Sequence, residues 1–368
     1  MGSRLAVATR AALGSRTERN GHPSLRPVSE MSDAMRTTAR ELVSPGRGIL
    51  AADESTGTIQ KRFDQIGVAS TEENRRRYRQ LLFTTPGVGE HISGVILYDE
   101  TIRQSADDGR TFVQVLQEAG SIPGIKVDTG AKPLALFPGE TVTEGLDGLR
   151  ERLAEYSDLG ARFAKWRATI VIGDGIPRDF AIHANAHGMA RYAALSQEAD
   201  IVPIVEPEIL MDGEHDIAAC EDATGRTLAA LYEQLAAHRV DLPGSLLKVN
   251  MVVPGKGAAT QASDEEIARA TIRCLTAHVP TEVPGVVFLS GGMSDEESTS
   301  RLNEMNRVGG TPWELSFSYG RALQQASLKA WVGKDANVEA AQRALAHRAR
   351  MNGLARSGEY SAELESAA

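Results

Sequence analysis

The stretch "GSLLKVNMVVPG", Gly244 to Gly255, reads as a buried strand, yet it carries Lys248 at its centre. Ammonium groups are almost never fully buried unless something compensates them. In a strand, residues two apart share a face. Leu246, Lys248 and Asn250 are therefore expected to point one way, and Leu247, Val249 and Met251 the other. One face is apolar and the other is not.

Seven further stretches have the same short, apolar character. They are "GILAAD" from Gly48, "ISGVILYD" from Ile92, "PGIKVD" from Pro123, "RFAKWRATI" from Arg162, "IVPIVEPEI" from Ile201, "GVVFLSGG" from Gly285 and "WELSFSYG" from Trp313. Helix signals lie between them. Ser70 with Glu73, Ser263 with Glu266 and Ser294 with Glu297 fit the S/T-x-x-E capping box. Leu146, Leu149, Leu153 and Tyr156 make a helical stripe closed by Gly160, and Leu228, Leu231 and Leu235 make another. Eight strands alternating with helices predict a parallel sheet, and eight is the number that closes a single-domain (β/α)8 TIM barrel with its active site at the C-terminal ends of the strands. A doubly wound sheet would want G-x-G-x-x-G after its first strand, where "AADESTGTI" stands instead. A chain of 368 residues has room for about two domains, but α/β barrels routinely use this much as one.

Composition sets outer limits. With 42% hydrophobic and 24% charged residues and no apolar run near the ~18 residues of a membrane span, the chain reads as globular and not membrane-embedded. Its formal charge of -9 gives no footprint for nucleic acid, so an anionic ligand must meet a local basic cluster. Cys220 and Cys274 form no paired motif, which suits a reducing compartment. Residues 1–38 read as a disordered extension. Arg4, Arg10, Arg16, Arg19 and Arg26 also allow a transit peptide, or upstream sequence before a start at Met31; without one the chain is expected in the cytoplasm. The barrel domain is expected over 39–356, with a helix to about Leu354, and 357–368 as a short polar tail.

The alternation that places Lys248 also groups other charges. Lys165 shares a face with Arg167, Glu206 with Glu208, Lys126 with Asp128, and Asp53 with Ile49 and Ala51. A single such charge is ordinarily half of an ion pair at a strand end. Here charges recur on five strands near their C-terminal ends, where TIM barrels carry chemistry, and their only partners inside a barrel are each other.

The strings "GILAADESTGTIQKRF", "GIKVDTG", "FAKWR", "IVPIVEPEIL", "LLKVNM", "FLSGG" and "FSYGRALQQASLKAW" together resemble class I fructose-1,6-bisphosphate aldolase, the Schiff-base type, collinearly from about Ala39 to Tyr360. The resemblance implies a metal-independent carbon–carbon lyase of glycolysis and gluconeogenesis, needing no cofactor and typically homotetrameric. On matching residues, Lys248 is the Schiff-base lysine. A free lysine is mostly ammonium at neutral pH, and a desolvated interior with Lys165 alongside favours the neutral, attacking amine. Asp53 takes the C4 hydroxyl proton, Glu206 is the general acid/base, and Glu208 orients the lysines. Repulsion between Glu206 and Glu208 is expected to raise the carboxyl of Glu206. Ser290, Gly291, Gly320 and Arg321 are expected at the 1-phosphate. Ser55, Thr58, Lys61, Arg62, Lys126 and Arg167 are expected at the 6-phosphate or the sugar hydroxyls.

Other readings are narrower. Sedoheptulose 1,7-bisphosphate or fructose 1-phosphate could be the preferred substrate, or the fold could serve as a scaffold; interior charges argue against retirement, because they are costly to keep. His183 and His187 in "HANAH" have the spacing of helical metal ligands but lack the Glu of H-E-x-x-H. "GKGAAT" does not complete a P-loop. Trp166, Trp313 and Trp331 read as packing residues. Family members that end in a tyrosine use it at the enamine carbon; no tyrosine follows Tyr360 here, so slower enamine protonation is expected.

Overall fold

The computed structural model describes residues 32–366. All eight expected strands form: Gly48–Ala51 (β1), Ile92–Leu97 (β2) and Ile122–Lys126 (β3), then, beyond a hairpin of Gly130–Pro133 (β4) and Thr141–Glu144 (β5), Phe163–Ile170 (β6), Val202–Ile209 (β7), Leu246–Val249 (β8), Gly285–Phe288 (β9) and Glu314–Tyr319 (β10). The eight close into a parallel barrel in the order β1, β2, β3, β6, β7, β8, β9, β10, with β10 returning to β1. The hairpin pairs antiparallel, Gly130 opposite Glu144 and Pro133 opposite Thr141. Its four-residue strands, joined through Pro133 and Pro138, carry too little alternation to be read locally.

Two of the three expected helix caps form where the sequence placed them. Ser263 accepts from the Glu266 backbone, and Ser294 and Glu297 make a reciprocal box at 3.1 and 2.8 Å. The third is displaced by one residue. Thr71, not Ser70, caps helix Glu72–Phe83 by accepting from Asn74 N, while the Ser70 carbonyl accepts the Arg75 guanidinium at 2.6 Å.

Outward-facing Leu247, Val249 and Met251 join the large core beneath the helices, together with Trp166, Trp313 and Trp331. Trp166 stacks on Tyr192, and Trp331 stacks on Tyr78. The inward residues Ile49, Ile96, Phe163, Val202, Ile204, Leu246 and Val287 form a separate apolar cluster in the lower barrel. Gly124 makes room for it, since a Cβ there would collide with the Phe163 ring.

That lower cluster is closed by a helix the sequence reading did not include in the barrel. Helix Ser32–Leu42 presents Met35, Ala39 and Leu42, spaced i, i+4, i+7 on one face, into it. Arg36 fixes the helix through a two-pronged contact with Asp241 at 2.7 and 3.0 Å. The expected boundary at residue 39 thus falls within a helix, Ser32–Leu42, that packs on the barrel floor. Residues 1–31, with the question of a transit peptide, lie outside the described residues.

At the other end, helix Val338–Arg356 runs two residues past Leu354 and is followed by a short turn, Ala362–Ser366. The polar tail is docked. Glu365 accepts from Arg348 at 2.6 Å and from the Tyr360 hydroxyl at 2.9 Å, and pairs with His347 at 2.9 Å.

Candidate active site

Above the apolar layer the inward positions turn charged. Lys165 and Arg167 follow Phe163 on β6, Glu206 and Glu208 follow Ile204 on β7, and Lys248 follows Leu246 on β8. Asp53 follows Ala51 just beyond β1. Lys165, Glu206 and Lys248 are only 3%, 3% and 4% exposed, so they are compensated by one another or not at all.

The compensation is an alternating chain of four charges. Asp53 Oδ2 lies 2.8 Å from Lys165 Nζ, Lys165 Nζ lies 3.2 Å from Glu206 Oε2, and Glu206 Oε1 lies 3.0 Å from Lys248 Nζ. Lys165 bridges two carboxylates, and Glu206 bridges two ammonium groups. The electrostatics follow from that order. Burial opposes every charge, but Asp53 and Glu206 beside Lys165 outweigh it and push its ammonium above the ordinary lysine range. Burial likewise pushes Asp53 and Glu206 up, and the lysines overcome it, holding both below the usual carboxylate range. Glu206 Oε2 has no hydrogen-bond donor in line with it among the described residues, although Lys165 is within ion-pair distance.

Three expectations need correction. Glu206 is held down by the lysines instead of being raised by Glu208. Glu208, expected to orient the lysines, pairs with Arg167 Nε and has no lysine within ion-pair distance among the described residues. Asn250 leaves the Lys248 face, because β8 ends at Val249: its Oδ1 accepts from Ile209 N at 2.9 Å and its amide donates to the Thr224 hydroxyl.

Two adjoining cavities open over this chain. One, of about 310 Å³, is lined by Asp53, Lys165, Glu206 and Lys248 together with Ser55, Lys126 and Gly320. The other, of about 400 Å³, is lined by Lys61, Glu208, Ser290, Gly291 and Arg321. Thr58, Arg62 and Arg167 line both. Every expected site residue therefore lines one cavity or the other, but the grouping differs from the expected phosphate sets. Lys61 falls with Arg321, and Gly320 falls with Lys126.

The second cavity has a backbone suited to anions. Gly291 and Gly292 after β9 take positive φ values of 43° and 147°, which glycine adopts without strain, and the N-terminal residue of helix Arg321–Trp331 lines the same cavity. Lys256, not anticipated, packs its ammonium against Gly292, where a Cβ would collide with it. Asp128 is a further buried carboxylate of the first cavity. It lies 3.2 Å from Lys126 Nζ and accepts from Gly130 N and Arg167 N at 3.1 and 3.3 Å. Glu54, next to Asp53 and beyond the end of β1, also lines the first cavity, where no period of two reaches it. His183 and His187 lie elsewhere, against Asp179 O and Gln234 Oε1 on an exposed helix surface.

Comparisons with known proteins give the family. The family model for fructose-bisphosphate aldolase class-I matches residues 34–368. A protein of Xanthomonas campestris named "Probable fructose-bisphosphate aldolase class 1" is 57% identical over 325 residues, covering 88% of this chain and 97% of the relative. Fructose-bisphosphate aldolase 4, cytosolic, of Arabidopsis thaliana is 55% identical over 88% of this chain and 82% of its own length. The solved aldolase of Plasmodium falciparum, in complex with TRAP and a small-molecule inhibitor, superposes with a TM-score of 0.90 at 48% identity, covering 91% of this chain and 97% of that one. By family model, by sequence and by fold, the chain belongs to the class-I fructose-bisphosphate aldolase family.

Proposed function

We propose that Lys248 carries the family's reaction in this chain: reversible cleavage of fructose 1,6-bisphosphate into dihydroxyacetone phosphate and glyceraldehyde 3-phosphate through a lysine Schiff base. The observation that supports it is the position of Glu206 between two lysines of unequal standing. Lys165 is held protonated by two carboxylates, whereas Lys248 has, among the described residues, Glu206 alone within ion-pair distance, at 3.0 Å.

The steps follow from that asymmetry. Glu206, held as a carboxylate, takes a proton from Lys248. The freed amine attacks the C2 ketone, the attacking nitrogen gives its second proton to the carbonyl oxygen, and Glu206 returns the first as that oxygen leaves as water, so that an iminium forms. Asp53, kept ionised by Lys165, accepts the C4 hydroxyl proton. The C3–C4 bond breaks, its electron pair neutralises the iminium as an enamine, and glyceraldehyde 3-phosphate departs. Asp53 gives up the proton it took, one proton is taken up at C3, and hydrolysis of the regenerated iminium by water releases dihydroxyacetone phosphate and restores Lys248. The basic walls of the two cavities supply the local attraction for phosphate that a net charge of -9 lacks.

Borohydride reduction in the presence of dihydroxyacetone phosphate, followed by peptide mass mapping, tests the assignment. An adduct on Lys248 is expected, and an adduct elsewhere or none rejects it. We take the chain to act without a metal or other cofactor, as a homotetramer in the cytoplasm. The cytosolic Arabidopsis relative supports the location, and no described helix is long and apolar enough to cross a membrane. Activity that survives chelation and a tetrameric mass by light scattering are the expected outcomes.

A further inference from the structure

Glu54 adjoins Asp53 in sequence but takes no part in the steps above. Its carboxylate is buried and accepts two hydrogen bonds, from Gln324 Nε2 at 2.9 Å on Oε1 and from Arg79 Nη2 at 2.6 Å on Oε2, while Arg62 Nη1 stands at ion-pair distance, 2.5 Å, from Oε1. Two guanidinium groups thus share one carboxylate, and they differ in freedom. Arg79 is buried, with Gln324 beside it; Gln324 is itself fixed by donating to Ala51 O at 2.7 Å and accepting from the Tyr78 hydroxyl at 3.2 Å. The Arg62 side chain is 21% exposed and stands in the wall common to both cavities.

A buried carboxylate that loses its only cation is strongly destabilised. Glu54 escapes that penalty if Arg62 moves away, because Arg79 and Gln324 remain. Arg62 is therefore the member of the cluster that can be released at low cost, and a phosphate is the ligand chemistry suited to a planar, bidentate donor. We propose that Glu54 is a positioning residue that parks Arg62 between the two cavities and hands it to the phosphate of an arriving sugar bisphosphate. The inference rests on the aldol reading of the site. It is supported by the ionisation of Glu54: burial would push its carboxyl up, but Arg62 and Arg79 prevail and hold it below the ordinary value, so it stays an acceptor.

Steady-state kinetics with fructose 1,6-bisphosphate test the proposal in a double-mutant cycle. Glu54→Gln raises KM about tenfold, with a much smaller fall in kcat, as expected for a lost charge-assisted contact on a binding group. In an Arg62→Met background the same substitution produces no further rise, because the group it positions is gone. Glu54→Asp keeps Arg79 neutralised but withdraws one methylene. It provides the same comparison should the glutamine variant not fold, and its rise in KM is again absent without Arg62. An unchanged KM, or effects of the two sites that multiply, overturns the proposal. Trapping of dihydroxyacetone phosphate on Lys248 in the unsubstituted chain checks the aldol reading separately, so the two failures are distinguishable.

Discussion

The two ends of one barrel interior are built from the same strands and the same faces, yet they do opposite work. On β6 the inward series runs Phe163, Lys165, Arg167; on β7 it runs Val202, Ile204, Glu206, Glu208; on β8 it runs Leu246, Lys248. A step of two residues, about 6.6 Å of strand, separates hydrocarbon from charge. The lower layer, sealed by helix Ser32–Leu42, contributes stability by removing apolar surface from water. The upper layer costs stability, since desolvated charges are only partly repaid by pairing, and it yields chemistry because fixed charges act strongly where water is excluded. A dry floor is thus part of what makes the charges above it effective.

Substitutions can break the comparison from either end. Lys248→Met is expected to have the largest effect, lowering cleavage of fructose 1,6-bisphosphate by at least about 10³-fold and abolishing the borohydride adduct, with little loss of thermal stability. Normal turnover in a coupled assay would remove the catalytic reading. Glu206→Gln comes next, with a fall of roughly 10² to 10⁴-fold in kcat, the range for a positioned acid/base group. A near-normal kcat would move the proton work to another carboxylate.

At the floor the expected effect is on stability. Leu42→Ala should cost about 2–5 kcal/mol in urea unfolding while leaving kcat per folded molecule unchanged at low denaturant. Lost turnover in the folded protein would show that the two layers are not separable.

The smallest effect is in pH dependence. Asp53 and Glu206 are held below their unfolded values, near 4, so their contribution is present above that pH and lost as pH falls through the depressed folded values. Lys165 is held above its unfolded value near 10.4, so its contribution is present below that pH and lost only as pH rises through the raised one. The stability difference between the unsubstituted chain and Asp53→Asn is therefore expected to be flat between about pH 5 and 9 and to shrink below about pH 4. A slope across neutral pH would contradict the assigned charge states.

Ser290, Gly320, Arg321 and the other phosphate-side residues were legible only through the family resemblance; residue order alone determined the eight strands, the shared faces of Lys165 with Arg167 and of Glu206 with Glu208, and the serine caps at Ser263 and Ser294. Each depends on a local period of two or on a cap three residues long, so the signal lies within a few residues of its consequence. Helix Ser32–Leu42 was hidden because its partners, such as Phe163 and Leu246, are more than a hundred residues away. The pairing of charges was hidden for a related reason. Lys165 lies opposite Ile204 and Arg167 opposite Glu206 in the sheet register, yet Lys165 pairs with Glu206 and Arg167 with Glu208, each one step farther along β7. That offset left Glu208 with an arginine and Glu206 with both lysines. Only the tertiary structure decides it, because the tilt and stagger of strands in a closed barrel are properties of the whole ring and of no single stretch of chain.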